Sequence, residues 1–418
     1  MKQKNRIIFL AVFFSFCISL NAYPIDGYIL TGIKRLLRLQ LILDGKIKDV
    51  KPIKGALKST KDIKLNLAGS RGDSLIHIPN PDEKLQKELN KLFPNIHESY
   101  SLSLLDITPG KKIRYAQRKS EKSFSPGSVG KLAIAAGLFT ELNRIFPDSF
   151  ERRQDLLRKR MVRAGKWCIT NVHTVPFFDP QTNNFFKRTV QEQDVFSLYE
   201  WADHMLSVSS NAAASIVWKE LVLMRGFGKN YPPNEKQEEE FLSKTPKSEL
   251  REIAMSVVND PLRVLGITED EWVLGNFFTR EGKRLIPGDG GSTGSPKGLM
   301  KYLIALERGK IVDQKSSLEI KKLLYMTDRR IRYAQSAALK DAAVYFKSGS
   351  LYKCKPEPDF ECKKYMGNVE NYMNSVAIVE HPDGTTYLVT LMSNVLRKNS
   401  GTDHMMLATS IDRVIRGK

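Results

Sequence analysis

The sequence predicts an α+β fold, in which one antiparallel sheet, built from strands near both ends of a domain, packs with a mostly helical region. Two stretches, residues 100–118 and 375–393, each read as strand, turn and strand. Both are interrupted by a turn that contains proline and glycine, which is typical of β-hairpins. Most segments between the hairpins look helical, and a closing helix is predicted from about Asp403 to Ile415. We therefore expect the two distant hairpins to pair and complete one sheet.

The chain is long enough for a domain of this kind. It has 418 residues, of which 41% are hydrophobic, and this is ample for a sizeable core and argues against a disordered chain. The character of the sequence changes near residue 95. We predict a basic N-terminal extension of unknown role at residues 23–94 and one main domain at residues 95–418.

The first 22 residues have the layout of a secretory signal peptide. Three basic residues precede the uncharged run Ile7–Leu20, which is followed by Asn21 and the small residue Ala22. This run is shorter than the roughly 20 residues that a transmembrane helix needs. We therefore predict that residues 1–22 are removed and that the protein is exported, to the periplasm or outside the cell. An uncleaved anchor is the alternative, and only in that case is the membrane a partner.

The chain is strongly basic. It carries 66 Lys and Arg residues against 46 Asp and Glu residues, which gives a formal net charge of +20. Solvated basic faces explain this charge, and attraction to anionic polymers of the cell envelope is the alternative. Nucleic acid is not expected as a partner, because an exported protein no longer meets it. In addition, no aromatic-basic motif or zinc-finger spacing occurs in the sequence.

The cysteines and histidines do not form a metal-binding pattern. Cys168, Cys354 and Cys362, which follow the signal, are too few for a Cys₄ site and lack the spacing of a Cys₂His₂ site. The six histidines are scattered along the chain, and we interpret them as structural. No metal or cofactor is predicted. In an oxidising compartment Cys354 and Cys362 can close a small loop, and the sequence leaves this disulfide open.

One apolar helix carries a lysine in its first turn. The stretch FSPGSVGKLAIAAGLF, residues 124–139, follows a Pro-Gly turn, and a helix that is apolar on all sides lies inside a protein. Burial disfavours the charged form of Lys131 and makes it available as a base for Ser128, which lies one turn earlier on the same face. The N–H groups at the helix start suit an oxyanion. A second Ser-x-x-Lys, at Ser350 and Lys353, reads as a strand, where residues three apart point to opposite faces.

Two further motifs follow in order. Ser-Ser-Asn at 209–211 opens another apolar helical run, and Lys-Ser-Gly at 347–349 lies in a strand-like stretch. With the Ser-x-x-Lys of residues 128–131, they resemble the motif set of the serine β-lactamases and penicillin-binding proteins, particularly the class A β-lactamase-like serine hydrolases. The resemblance covers about residues 97–418 and includes the stretch 291–312, which is similar to the family's Thr-x-Pro helix.

The resemblance implies a role for each motif residue. Ser128 would be the nucleophile that becomes acylated, Lys131 its base, and Ser209 the group that passes a proton to the leaving nitrogen. The substrate would be held by Asn211, Lys347, Ser348, Gly349 and Ser350. Among these, Asn211 would bind the substrate amide, and Lys347 and Ser348 would receive its carboxylate. The backbone N–H groups of Ser128 and Ser350 would form the oxyanion hole.

The chain departs from the family between the second and third motifs. Class A β-lactamases activate the water that hydrolyses the acyl-enzyme with a glutamate in a Glu-x-x-x-Asn pattern. Here the corresponding stretch is VLGITEDEWVLGNFFTREG, in which Glu269 and Glu271 are the candidate deacylation bases. Asn276 follows Glu271 by five positions rather than four, and a solvated acidic loop is the alternative interpretation. The sequence therefore leaves open whether the protein turns over β-lactams.

Three functions fit these motifs. The first is a secreted serine hydrolase, acylated at Ser128 by a β-lactam or a D-Ala-D-Ala-like amide and deacylated by water. The second is a D,D-peptidase that acts on peptidoglycan stems with the same acylation residues. The third is a penicillin-binding or sensor protein that does not turn over. All three imply a small-molecule or peptidoglycan-like substrate.

Overall fold

The computed structural model describes residues 24–48, 51–328 and 330–417. The signal peptide predicted at residues 1–22 lies outside these ranges. Within them, no helix combines the length and the apolar character that crossing a membrane requires.

Helices and strands alternate irregularly along the chain. The α-helices are α1 (Gly27–Thr31), α2 (Lys34–Leu43), α3 (Ser70–Asp73), α4 (Glu83–Asn90), α5 (Lys131–Ile145), α6 (Phe150–Lys159), α7 (Leu198–Ser207), α8 (Asn211–Phe227), α9 (Glu235–Lys244), α10 (Lys247–Val264), α11 (Arg280–Leu285), α12 (Pro296–Glu307), α13 (Gln314–Tyr325) and α14 (Gly401–Arg416). The strands are β1 (Ser101–Asp106), β2 (Arg114–Arg118), β3 (Met161–Arg163), β4 (Thr174–Asp179), β5 (Asn184–Thr189), β6 (Val195–Ser197), β7 (Trp272–Val273), β8 (Thr293–Gly294), β9 (Ala343–Lys353), β10 (Glu370–Glu380) and β11 (Thr386–Asn394). Short 3₁₀ turns include Gly127–Gly130 and Arg332–Gln335.

The main sheet has five antiparallel strands in the order β2-β1-β11-β10-β9. Both predicted hairpins form, and they join where β1 pairs with β11, with Ser101 opposite Met392. The predicted α+β fold class is therefore confirmed, including closure of the sheet by distant segments. The third predicted motif lies on β9, at one edge of this sheet.

Both faces of the sheet are covered. Neighbouring strand residues such as Leu388 and Val389 point to opposite faces and join different hydrophobic cores. Helices α4 and α14 pack on one face, and the helical region around α5 packs on the other. Almost all of α5 is buried, as its apolar sequence predicted. This helix carries Lys131 into the centre of the molecule.

The N-terminal extension packs into the core of the same domain. Ile33, Leu36 and Leu39 belong to the hydrophobic cluster that surrounds α5. The buried guanidinium of Arg35 donates two hydrogen bonds to the carboxylate of Asp203 on α7, at 2.5 and 2.6 Å. Helix α7 leads into the second motif, so the extension supports the segment that precedes the candidate site.

Candidate active site

Three elements bring the three motifs to one cavity of about 410 Å³. Ser128 lies in the 3₁₀ turn Gly127–Gly130, and Lys131 is the first residue of α5. Ser209 lies between α7 and α8, and Asn211 begins α8. The motif residues that line the cavity directly are Ser128, Ser209, Lys347, Ser348, Gly349 and Ser350.

Two glycines let the 3₁₀ turn lie directly against β9. A Cβ atom on Gly349 would lie 2.2 Å from the Pro126 carbonyl oxygen and 3.0 Å from the Ser128 nitrogen. A Cβ atom on Gly127, whose φ is +51°, would lie 2.8 Å from the Ser350 nitrogen. The backbone nitrogens of Ser128 and Ser350 therefore lie at one narrow contact, where the sequence predicts an oxyanion hole.

Lys131 is fully buried, and its amine contacts several polar atoms. Its Nζ lies 2.6 Å from the carbonyl oxygen of Ser209, 2.8 Å from Asn211 Oδ1 and 3.1 Å from Ser128 Oγ. Burial, and then the charge of Lys347, hold the pKa of Lys131 well below its ordinary value of 10.5. No carboxylate pairs with it among the described residues.

The geometry around Lys131 suits a neutral amine. A neutral amine has two N–H bonds and one lone pair, and the Ser209 carbonyl and Asn211 Oδ1 are oxygens that can only accept. In the neutral form these two oxygens accept both N–H bonds, and the lone pair can then accept the proton of Ser128 Oγ, 3.1 Å away. The arrangement can therefore remove the proton from Ser128 Oγ.

Ser209 connects the two buried lysines. Its Oγ lies 3.3 Å from Lys131 Nζ and accepts a hydrogen bond from Lys347 Nζ at 2.8 Å. Its backbone has a φ of +62°, which is uncommon for a residue with a side chain and costs of order 1–3 kcal/mol. This conformation places the hydroxyl where it can carry a proton between the base and a leaving group.

Lys347 provides the cationic wall on β9. Its side chain is buried, and its Nζ also donates a hydrogen bond to the Ser348 carbonyl oxygen at 2.9 Å. Burial, and then the charge of Arg332, lower the pKa of Lys347 to about 7. A ligand carboxylate beside it would favour the charged form.

A model of the β-lactamase enzyme family matches residues 84–411, which is most of the chain. The chain belongs to the β-lactamase enzyme family. The matched residues 84–411 contain all three motifs and both hairpins, as the resemblance predicted. Among curated proteins, none matches this sequence.

Solved structures of the family share the fold at low sequence identity. PBP-A is 14% identical with a TM-score of 0.51, and the match covers 82% of this chain and 98% of PBP-A. A PBP-A mutant in an acyl-enzyme complex with penicillin G is 15% identical with a TM-score of 0.50, covering 81% and 98%. A class A β-lactamase from Bacteroides cellulosilyticus is 13% identical with a TM-score of 0.50, covering 81% and 98%. At these identities the likeness shows the fold alone.

The pKa of Lys347 predicts how the affinity for a carboxylate ligand depends on pH. Below pH 7 Lys347 is charged in the empty site, whereas above pH 7 it must take up a proton when the carboxylate binds. Affinity should therefore fall about tenfold for each pH unit above 7. Calorimetry of penicillin G with the Ser128→Ala protein between pH 6 and pH 9 measures this slope. The methyl ester of penicillin G is the control and should show no slope; the same slope for both ligands would contradict the role of Lys347.

Arg332 is a cavity residue that the sequence motifs missed. Its guanidinium donates hydrogen bonds to the Gly349 carbonyl oxygen at 2.9 Å and to Ser350 Oγ at 3.1 Å. It lies in a basic stretch between the second and third motifs, and no fixed distance from either motif identifies it as a site residue. Only the packing of the turn Arg332–Gln335 next to β9 brings it to the family's third motif.

His173 and Asp328 also line the cavity. Asp328 pairs with Lys187 from β5 at 2.6 Å. Nδ1 of His173 is buried without a hydrogen-bond partner among the described residues. Burial, and then the charge of Lys131, lower the pKa of His173 to about 3, so its imidazole is neutral at neutral pH. The scattered histidines of the sequence predict a structural role for this residue, whereas the structure places it at the cavity.

The structure does not bring the two candidate deacylation glutamates to the cavity. Glu271 Oε2 pairs with Lys301 Nζ on α12 at 2.6 Å and accepts a hydrogen bond from the Thr268 N–H at 3.1 Å. Glu269 is exposed, and neither glutamate lines the cavity. The reason is local: Trp272 is buried and pairs in the β7–β8 ladder, which directs its neighbour Glu271 towards α12.

The aromatic ring of Phe278 lies beside Lys131, the candidate base. The Phe278 ring lies with its centre 4.8 Å from Lys131 Nζ. Its Cζ atom is 3.6 Å from the position of a Cβ atom on Gly130. The side of Lys131 that faces the 267–282 segment is therefore apolar, and no carboxylate from this segment contacts the amine.

Proposed function

We propose that this protein is an exported serine acyl-transfer enzyme that acts on D-Ala-D-Ala-like amides of peptidoglycan and is acylated at Ser128 by β-lactams. The observation that carries the proposal is the pairing of Lys131. Its Nζ contacts Ser128 Oγ at 3.1 Å together with the Ser209 carbonyl oxygen and Asn211 Oδ1, and no carboxylate pairs with it among the described residues. A structural lysine would be expected to pair with a carboxylate instead.

The acylation step follows from this geometry. Lys131 removes the proton from Ser128 Oγ, and the oxygen forms a bond with the carbonyl carbon of the substrate. The N–H groups of Ser128 and Ser350 stabilise the negative charge that develops on the carbonyl oxygen. When the carbon–nitrogen bond breaks, Ser209 gives its proton to the leaving nitrogen and regains one from Lys131. The lysine is then neutral again, and the acyl group remains on Ser128.

Substrate binding uses the cationic side of the cavity. Lys347 attracts the carboxylate that β-lactams and D-Ala-D-Ala peptides share, and the hydroxyls of Ser348 and Ser350 can donate hydrogen bonds to it. The fold is also that of a PBP-A mutant solved as an acyl-enzyme with penicillin G. This likeness supports the proposal for the acylation step.

The geometry favours slow hydrolysis of the β-lactam acyl-enzyme. The carboxylate that lines the cavity, Asp328, is paired with Lys187, and Phe278 covers Lys131 on the side of the 267–282 segment. A positioned base typically contributes ~10²–10⁴-fold to such a step. Without one, penicillin acts as an inhibitor, which is the behaviour of a D,D-peptidase rather than of an efficient β-lactamase.

One observation favours a second candidate, a β-lactamase with an unusual base. Nδ1 of His173 is unpartnered in the described part of the chain and can accept a hydrogen bond from water. Its pKa of about 3 makes it a weak base, so we rank this function second.

Covalent labelling with penicillin G tests the proposed function. The wild-type protein should gain one penicillin equivalent, measured by intact-protein mass spectrometry, and peptide mapping should place it on Ser128. The Ser128→Ala protein should gain none, while a matched Ser125→Ala protein, changed three residues earlier, should still be labelled. Labelling that survives Ser128→Ala would contradict the assignment of the nucleophile.

A further inference from the structure

A second cavity, of about 200 Å³, lies between the N-terminal extension, helix α7 and the β4–β5 hairpin. Its apolar wall consists of Ile33, Pro176, Phe177, Phe178, Phe186 and Phe196. The ring of Phe177 stacks on that of Phe186 with the ring centres 5.1 Å apart, and it also packs against Phe196 at 5.2 Å. We call this cavity the hairpin pocket. It therefore offers several aromatic surfaces to a molecule inside it.

One buried polar side chain, that of His204 on α7, lines the hairpin pocket. It is 2% exposed, and neither of its ring nitrogens has a hydrogen-bond partner among the described residues. Nδ1 lies 3.8 Å from Asp203 Oδ2, which is beyond hydrogen-bond distance. That carboxylate already accepts two hydrogen bonds from Arg35. A buried polar group without a partner destabilises a folded protein, so the isolation of His204 needs a physical reason.

Two other buried histidines do have partners within the protein. Nδ1 and Nε2 of His404 lie 3.0 and 3.1 Å from the hydroxyls of Ser375 and Ser393. Nε2 of His381 lies 2.6 Å from a carboxylate oxygen of Asp412. The fold thus supplies partners for buried imidazoles at these two positions. His204 lacks one and lines a pocket, which indicates that its partner is a molecule inside the pocket.

Size, charge and protonation define the chemistry of that molecule. An apolar cavity of about 150 Å³ binds benzene, so the hairpin pocket has room for one aromatic ring with a small substituent. Burial, and then the charge of Arg35, lower the pKa of His204 to about 3. Its neutral imidazole has one N–H donor and one acceptor nitrogen, and a hydroxyl can pair with either. The charged residues that line the pocket are balanced, with Lys34 and Arg35 against Asp179 and Glu200, which favours a neutral ligand.

The hairpin pocket shares two structural elements with the candidate active site. The β4–β5 hairpin contributes residues 176–179 to the pocket, whereas Lys187 and the preceding residue His173 line the catalytic cavity. On α7, the carbonyl oxygen of His204 accepts a hydrogen bond from the N–H of Ser210, inside the second motif, at 3.0 Å. A molecule in the hairpin pocket therefore contacts elements that also shape the catalytic cavity.

We propose that the hairpin pocket binds a small neutral aromatic alcohol of the phenol class, whose hydroxyl forms a hydrogen bond with the imidazole of His204. The ligand ring packs among the phenylalanine side chains, and its hydroxyl provides the partner that the imidazole lacks. Phe186, which is 43% exposed, forms the solvent side of the pocket. The site requires no acylation, so it is independent of the proposed function and of penicillin labelling at Ser128.

Calorimetry of the wild-type protein with phenol and with toluene tests the hydrogen bond. The two ligands are nearly the same in shape, and toluene has a methyl group in place of the hydroxyl. Phenol should bind about tenfold more tightly, because only phenol pairs with the buried imidazole. His204→Leu should reduce this ratio to about one. Without ligand, the same variant should unfold at a temperature no lower than the wild type, because it removes two unpaired buried nitrogens.

Phe186→Ala tests the wall of the pocket without changing α7. The residue is partly exposed, so the variant should fold, and it should bind both ligands about tenfold more weakly because a stacking ring is lost. The matched control is Phe185→Ala. Phe185 precedes Phe186 on the same strand, points to the opposite face and does not line the pocket. Its loss should leave both affinities unchanged.

Four results would overturn the inference. They are absence of phenol binding, equal affinity for phenol and toluene, a preference that survives His204→Leu, and phenol binding that Phe186→Ala leaves unchanged. The last measurement decides the case even if His204→Leu does not fold.

Discussion

Replacing Lys131 with methionine should slow acylation of Ser128 by about 10²–10⁴-fold, which is the range that a positioned general base contributes. Methionine has nearly the length of the lysine side chain and suits the buried helix α5. The change removes the lone pair 3.1 Å from Ser128 Oγ and keeps most of the packing. Stopped-flow or quenched mass spectrometry with penicillin G gives the acylation rate constant.

A second variant separates the base from the charge. Lys131→Arg keeps a positive group but cannot become neutral, because a guanidinium stays protonated in proteins. It should be as slow as Lys131→Met. An arginine protein that acylates at the wild-type rate would show that charge, and not proton removal, is what Ser128 requires. Thermal unfolding of both variants controls for loss of the fold.

Replacing Phe278 with glutamate should speed hydrolysis of the penicillin acyl-enzyme by about 10²-fold or more. The Phe278 ring lies beside Lys131, so a carboxylate there would face the amine that contacts Ser128 Oγ. It would supply the carboxylate base whose absence underlies the slow hydrolysis proposed above. The lifetime of the acyl-enzyme, followed by intact mass after removal of free penicillin, measures the change.

The matched control is Phe278→Gln, which has the size and polarity of the glutamate variant without its basicity. Its acyl-enzyme should live about as long as that of the wild-type protein. If glutamine accelerates hydrolysis as much as glutamate does, then access of water past the ring limits the reaction, and the missing base does not.

Local sequence patterns were sufficient to predict the sheet and to select the three motifs that the structure brings to one cavity. Each hairpin is specified by nearby residues, and the apolar sequence of α5 determines that Lys131 is buried. Ser128 and Lys131 are separated by a single turn, so their contact needs no knowledge of the rest of the fold. The structure refines one detail: Ser128 precedes the α-helix in a 3₁₀ turn.

Other parts of the site depend on contacts between distant segments and could not be read from spacing. Arg332 reaches β9 only through the packing of its turn, and Tyr365 reaches Arg332 only because the connection between β9 and β10 brings it to the cavity. A disulfide joins Cys354 to Cys362 in this connection, a pairing that the sequence left open.

The acidic stretch around Glu271 is a similar case, because its sequence left open whether it supplies a deacylation base or forms a solvated loop. Trp272 pairs with Gly294 in the short β7–β8 ladder, and this pairing directs Glu271 to Lys301. The local sequence does not predict such a short ladder.

The N-terminal extension shows the same limit of sequence patterns. Its lysine-rich composition left its role open, whereas the structure places Leu36 and Leu39 in the main core. The buried pair of Arg35 with Asp203 joins two residues that are far apart in the chain. Composition describes the exposed face of such a segment, whereas its buried face decides where it packs.

Pre-steady-state kinetics with a chromogenic cephalosporin tests most directly whether Ser128 is acylated without efficient deacylation. Mixing excess substrate with the wild-type protein should give a burst of about one equivalent of hydrolysed substrate, followed by a much slower steady rate. The Ser128→Ala protein should give no burst. Rapid linear hydrolysis by the wild-type protein, with no burst and many turnovers, would contradict the account.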